Sequence, residues 1–221
     1  MTRAELAHLL DHSVLKPEAT EREIREGADI VRTWSIGFYC VQPCWVKLAS
    51  EALAGSAART VSVVGFPHGC DRSEVKAQAA LLAVADGAGE IDMVMNFGAL
   101  RSGDDASVAA DIEAVVHAVP GTPVKVILEA AALTDGEKQR ACRIAVAAGA
   151  HFVKTSTGFH PNGGATAADV RLLRAAVGQT VGVKASGGIR TLADARAMLD
   201  AGANRLGTSA SPTILSALDP D

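Results

Sequence analysis

Aromatic residues are scarce: five Phe, two Trp and one Tyr make up 4% of the 221 residues. Platforms on which nucleobases could stack are correspondingly few. No run of Lys or Arg offers a footprint for a phosphate backbone, and the formal net charge is -4. Nucleic acid and anionic membrane surfaces are therefore not expected partners, and small solutes are. No stretch approaches the roughly 18 consecutive apolar residues of a membrane span. The opening Met1-Thr2-Arg3-Ala4-Glu5-Leu6 also lacks the apolar core of a signal peptide. A cytoplasmic location is the expectation. The four cysteines, Cys40, Cys44, Cys70 and Cys142, show no paired spacing, so free thiols are expected. His68-x-Cys70 is half of a metal motif without a second half, and neither a metal nor another cofactor is expected. No Ser/Pro/Gly-rich linker or charge block divides the chain, which reads as one domain over residues 1–221.

What is present is an alternation. Short β-branched runs near 11–15, 37–42, 60–65, 90–95, 123–129, 151–155, 181–185 and 204–207 are separated by longer Ala-rich amphipathic runs. That rhythm belongs to βα units around a parallel sheet. Helix starts are marked independently by Thr20-x-x-Glu23 and Thr134-x-x-Glu137, which fit the capping box. Asp71-x-x-Glu74, Thr166-x-x-Asp169 and Thr191-x-x-Asp194 are looser variants. Pro43 suits a first helical turn, and Ala-Gly-Ala at 148–150 and 201–203 suits helix ends. Eight units in this length make a compact (β/α)8 TIM barrel. An open doubly wound sheet would want a glycine motif after its first strand, and none follows Leu15.

Four charges interrupt the apolar runs of four successive units: Asp92, Lys125, Lys154 and Lys184. An outward charge would be buried under a helix, so the barrel interior near its catalytic end is the economical place for them. One carboxylate cannot neutralise three ammonium groups, and crowded lysines on neighbouring strands lose protons more easily. A neutral lysine is what Schiff-base chemistry needs, with Asp92 keeping a second lysine charged. Two glycine turns come late, Gly187-Gly188-Ile189-Arg190-Thr191 and Leu206-Gly207-Thr208-Ser209. They follow the seventh and eighth strands, where this fold often binds phosphate at helix N-termini. Lys125 is grouped with the substrate-binding residues.

Asp11-His12-Ser13-Val14-Leu15-Lys16-Pro17, Glu90-Ile91-Asp92-Met93-Val94, Lys125-Val126-Ile127-Leu128-Glu129, Lys154-Thr155-Ser156-Thr157-Gly158-Phe159 and Lys184-Ala185-Ser186-Gly187-Gly188-Ile189-Arg190 together resemble the deoxyribose-phosphate aldolases. The resemblance runs from about residue 8 to 211. It implies a metal-free class I aldolase on a (β/α)8 barrel that cleaves 2-deoxy-D-ribose 5-phosphate to D-glyceraldehyde 3-phosphate and acetaldehyde. It further implies Lys154 as the Schiff-base nucleophile, Asp92 and Lys184 as proton partners, and Gly158, Gly187, Gly188, Arg190, Gly207 and Ser209 at the phosphate. A homo-oligomer, specifically a dimer, is expected. This chain departs from the pattern at Ser13, Gln42 and Ala130, which touches rate and substrate preference more than reaction type. Another lysine-dependent barrel aldolase, or a phosphosugar-binding protein without catalysis, are the competing expectations. Cys40, near the catalytic end of the second strand, is expected to be a small core hydrophobe, with a reactive thiolate as the alternative if it faces the lysines.

Overall fold

The computed structural model describes residues 1–219; Pro220 and Asp221, the end of the expected domain, lie outside the described residues. Eight parallel strands close into a barrel in sequence order. They are β1 (Leu10–Val14), β2 (Phe38–Val41), β3 (Arg59–Val64), β4 (Glu90–Val94), β5 (Val124–Ile127), β6 (Phe152–Lys154), β7 (Gly182–Ser186) and β8 (Arg205–Thr208). Among the described residues ten α-helices accompany them: α1 (Arg3–Leu9), α2 (Glu21–Thr33), α3 (Val46–Ala52), α4 (Ser73–Ala85), α5 (Phe97–Arg101), α6 (Asp105–Ala118), α7 (Asp135–Ala147), α8 (Ala167–Val177), α9 (Leu192–Asp200) and α10 (Ser211–Ser216). Every expected strand is present, with ends shifted by at most two residues. The (β/α)8 architecture is thus the one that the alternation predicts. None of the described helices is long and apolar enough to cross a membrane.

The helix starts follow from local chemistry. Thr20, Thr134 and Thr191 complete capping boxes with Glu23, Glu137 and Asp194, and Thr166 accepts from the Asp169 N–H. Each satisfies N–H groups that the first helical turn leaves without a partner. Asp71 does not cap α4, contrary to expectation. Arg72 takes the N-cap position without a side-chain bond, and Glu74 pairs with Arg72 instead. The short α1 went unforeseen, although Thr2 and Glu5 form a capping box of the same kind.

Most apolar burial lies between the strands and the surrounding helices, in one cluster that runs from Leu6 to Leu215. Inside the barrel the strands divide the space unequally. Cys40, Val61 and Val63 form a separate apolar cluster with Phe38 and Phe66. Opposite them the interior is ionic, with Asp11, Glu90, Asp92, Lys125, Lys154 and Lys184 all buried.

Candidate active site

Strand register fixes the heights of the charged side chains. Asp92 stands beside Lys125, and Lys154 beside Lys184, while Ile127 is the residue beside Lys154. Lys125 therefore sits two residues, about 6.6 Å, below the level of Lys154. Asp92 accepts from all three lysines: Lys125 at 2.8 Å through Oδ1, and Lys154 at 2.7 Å and Lys184 at 2.8 Å through Oδ2. Burial alone would raise the Asp92 pKa. The ammonium groups of Lys125, then Lys154 and Lys184, overcome it and hold the carboxyl well below its ordinary value.

The expectation of three ammonium groups around a single carboxylate is corrected by the structure. Glu90 accepts from Lys125 at 2.5 Å and from Arg205 at 3.1 Å, and Asp11 Oδ2 accepts from Lys184. Three carboxylates thus serve the three lysines, so crowding of cations is not the dominant feature. For Lys184, burial works against the charge, and Asp11 with Asp92 more than offsets it, raising the pKa above the ordinary lysine value. Lys184 is a stable cation here. Asp11 Oδ1 has no hydrogen-bond partner although it is buried.

Above this cluster opens a cavity of about 650 Å³ at the C-terminal ends of β1, β6, β7 and β8. Lys154, Lys184 and Asp11 reach it from below, whereas Asp92 is fully buried beneath the lysines and is not among its lining residues. Gly158, Gly187, Gly188, Arg190, Gly207 and Ser209 all line it, as the sequence suggests. Lys125 does not, which corrects its place among the substrate-binding residues. Its ammonium is consumed by Asp92 and Glu90 one layer down.

The glycines have separate reasons. Gly187 is left-handed (φ 87°), and a Cβ there would stand 2.9 Å from Gly164 Cα and 3.2 Å from Gly158 Cα. Three backbone segments can meet only because each brings a glycine. Gly164 was not anticipated: it stands in a Gly163-Gly164 pair, but it lies ten residues beyond the end of β6 rather than directly after a strand. At Gly207 a Cβ would lie 3.1 Å from Lys184 Cε, so this glycine makes room for the lysine stem. On the turn before α9, the N–H groups of Arg190 and Thr191 are both bonded to Asp194, so free donors must come from residues before Arg190.

Two further side chains lie on the wall, and of these only His12 was not foreseen there. His12 stacks against Tyr39 with ring centroids 6.1 Å apart, and its Nδ1 lies 3.0 Å from Ser211 Oγ. Burial lowers its pKa to about 4, against a smaller upward pull from Asp11. Cys40 lines the cavity within the apolar half of the barrel. Burial, and then Asp11 and Asp92, push its thiol up to about 12, outweighing the opposing pull of Lys184 and Lys154. Packing as a core hydrophobe thus fits Cys40, and the thiolate alternative does not.

A buried, carboxylate-bound lysine pair beneath a cavity edged by glycine turns is equipped for imine chemistry on a small anionic carbonyl compound. Residues 6–211 match the model of a family described as DeoC/LacD family aldolase. Deoxyribose-phosphate aldolase 1 of Bacillus licheniformis is 49% identical over 218 residues, covering 98% of this chain and 97% of that protein. The deoxyribose-phosphate aldolase of Listeria monocytogenes is 50% identical over 216 residues, with 97% and 96% covered. Among solved structures, the tetrameric deoxyribose phosphate aldolase of Aeropyrum pernix superposes with a TM-score of 0.90 at 31% identity, covering 98% of this chain and 92% of that one. Ionic core, cavity and likeness to these proteins converge, and the chain belongs to the DeoC/LacD family of aldolases.

Proposed function

We propose that the protein cleaves 2-deoxy-D-ribose 5-phosphate reversibly to D-glyceraldehyde 3-phosphate and acetaldehyde through a Schiff base on Lys154. The observation that carries this reading is the position of Lys154 Nζ, 2.7 Å from Asp92 and at the floor of the cavity. Asp92 can take the ammonium proton and free the amine to attack C1 of the open-chain sugar. Lys184, held as a cation, donates to the carbinolamine oxygen as it leaves as water. The resulting iminium accepts the electron pair of the C2–C3 bond as the C3 hydroxyl loses its proton through a bridging water to the Asp92–Lys184 pair. Glyceraldehyde 3-phosphate departs. The remaining enamine is protonated at C2 and hydrolysed, which releases acetaldehyde and restores Lys154.

In this reading the phosphate lies among the turns of Gly158, Gly187, Gly188 and Ser209, with Arg190 as its cation. Borohydride trapping with deoxyribose 5-phosphate, followed by peptide mapping, tests the nucleophile. The adduct is expected on Lys154 and absent from Lys154→Ala. An adduct retained by that variant overturns the assignment.

A further inference from the structure

Glu129 is a buried carboxylate that neither the imine chemistry nor the phosphate cradle uses. It is 1% exposed, and no cation is bonded to it among the described residues. Its backbone is left-handed (φ 55°, ψ 60°), one of two such non-glycine residues among those described. A glutamate has no intrinsic liking for that conformation, so the surrounding contacts must hold it there. The contacts on its backbone neighbours are clear. Leu128 N–H bonds to Lys154 O at 2.9 Å, and Ala130 N–H bonds to Thr155 O at 2.8 Å. Two residues of advance along the β5 strand thus meet one residue of advance along β6, and Glu129 takes up the surplus.

The side chain then serves a single residue. Both carboxylate oxygens accept from the Thr157 N–H, at 3.3 and 3.4 Å, and Oε2 also accepts from the Thr157 hydroxyl. With its proton committed to Glu129, that hydroxyl offers a lone pair to the Phe159 N–H, at 3.0 Å. The turn on either side of Gly158 is thereby fixed at both ends. Gly158 in turn abuts Gly187 backbone to backbone, where a Cβ on Gly187 would stand 3.2 Å from Gly158 Cα. Thr157 and Phe159 are also the wall shared by the main cavity and a second cavity of about 810 Å³, which Glu129 itself lines.

We infer that Glu129 is a positioning residue for phosphate recognition: through Thr157 it sets the Gly158 turn against the Gly187 turn, without touching the substrate. The inference rests on the phosphate reading given above. It predicts a split in kinetic behaviour. Glu129→Ala should raise KM for deoxyribose 5-phosphate by about tenfold, the worth of one well-formed hydrogen bond to a charged group. Its kcat/KM for unphosphorylated deoxyribose and its rate of borohydride trapping with acetaldehyde should stay within about twofold of wild type, because neither requires the phosphate turn. Glu129→Gln, which keeps an acceptor, should restore most of the loss.

Thr157→Val provides a second route should the alanine variant not fold. It should show the same phosphate-specific rise, and where Glu129→Ala folds, combining the two should add nothing further. Equal losses on the phosphorylated and unphosphorylated sugars, or wild-type discrimination in both Glu129→Ala and Thr157→Val, overturn the inference. Arg190→Ala separates it from its foundation. Loss of phosphate discrimination there, with none in the Glu129 and Thr157 variants, removes only the positioning role. Intact discrimination in Arg190→Ala removes the phosphate reading itself.

Discussion

Replacing Asp92 with Asn takes away the only carboxylate that Lys154 touches among the described residues, while Lys125 keeps Glu90 and Lys184 keeps Asp11. Three contacts between 2.7 and 2.8 Å are affected. At an effective dielectric constant of about 20, one pair of unit charges at that separation is worth about 6 kcal/mol before desolvation is counted. The variant also escapes the cost of dehydrating a carboxylate, several kcal/mol for a buried ion, and the asparagine oxygen still accepts one bond. The terms partly cancel, and the net loss should be about 3 to 5 kcal/mol, as when a buried ion pair loses one partner. Denaturant titration at neutral pH should show a lower midpoint with an unchanged slope. The pH dependence gives an independent sign. An ammonium group stranded in the variant's core has a native pKa below the unfolded value of about 10.4, so the unfolded state binds more protons at intermediate pH. The variant should accordingly gain stability as pH rises from about 7 toward 10. In the wild type Lys184 is held above its ordinary value, so its contribution is complete below the unfolded pKa of about 10.4 and is lost only as pH climbs through the native one. A variant within about 1 kcal/mol of wild type, or one that loses stability between those pH values, would refute the reasoning.

Two other groups give separate checks. The His12 pKa is depressed to about 4 from 6.5, so on acidification the unfolded chain takes up the proton first. Stability should fall by up to about 3 kcal/mol as pH drops through that window. His12→Leu should flatten the slope in denaturant titrations, and an unaltered slope assigns the effect elsewhere. Cys40, buried and with its thiol pushed up to about 12, should resist iodoacetamide at neutral pH while the exposed Cys44 and Cys70 react. Peptide mass spectrometry reads the result, and rapid labelling of Cys40 would contradict its packing among Val61 and Val63.

The lysines were legible because a charge inside a β-branched run has few places to go. Lys154, Lys184 and Asp92 do meet at bonding distance, and the glycine turns after β7 and β8 do edge the cavity above them. Their ionic partners were harder to read. Glu90 looks like the polar start of a strand, and Asp11 lies 173 residues from Lys184, brought beside it only when β8 closes onto β1. Spacing along a chain carries the order of units but not the closure that makes the first and last into neighbours. The same limit misplaced Lys125. Its height is set by the stagger between β5 and β6, which puts it beside Phe152 rather than Lys154. Cys40 packs as the core hydrophobe expected of it, and only the thiolate alternative failed, for a related reason: the barrel interior is divided between an apolar side and an ionic one, and no local pattern announces that division.

Followed from one mouth of the barrel to the other, the buried ions form a column of alternating sign. Arg205 meets Glu90, which Arg59 also approaches from the exposed rim; Glu90 meets Lys125, Lys125 meets Asp92, Asp92 meets Lys154 and Lys184, and Lys184 meets Asp11. Barrel enzymes are commonly divided into an end that carries chemistry and an end that carries stability. Here a wire of charge joins the two. Neutralising Arg205 would leave Glu90 with one cation fewer and is expected to strengthen its pull on Lys125 at the expense of Asp92. If Lys154 is the nucleophile as proposed, substitutions at the lower mouth, chosen for robustness alone, are expected to alter the charge balance around its amine as well.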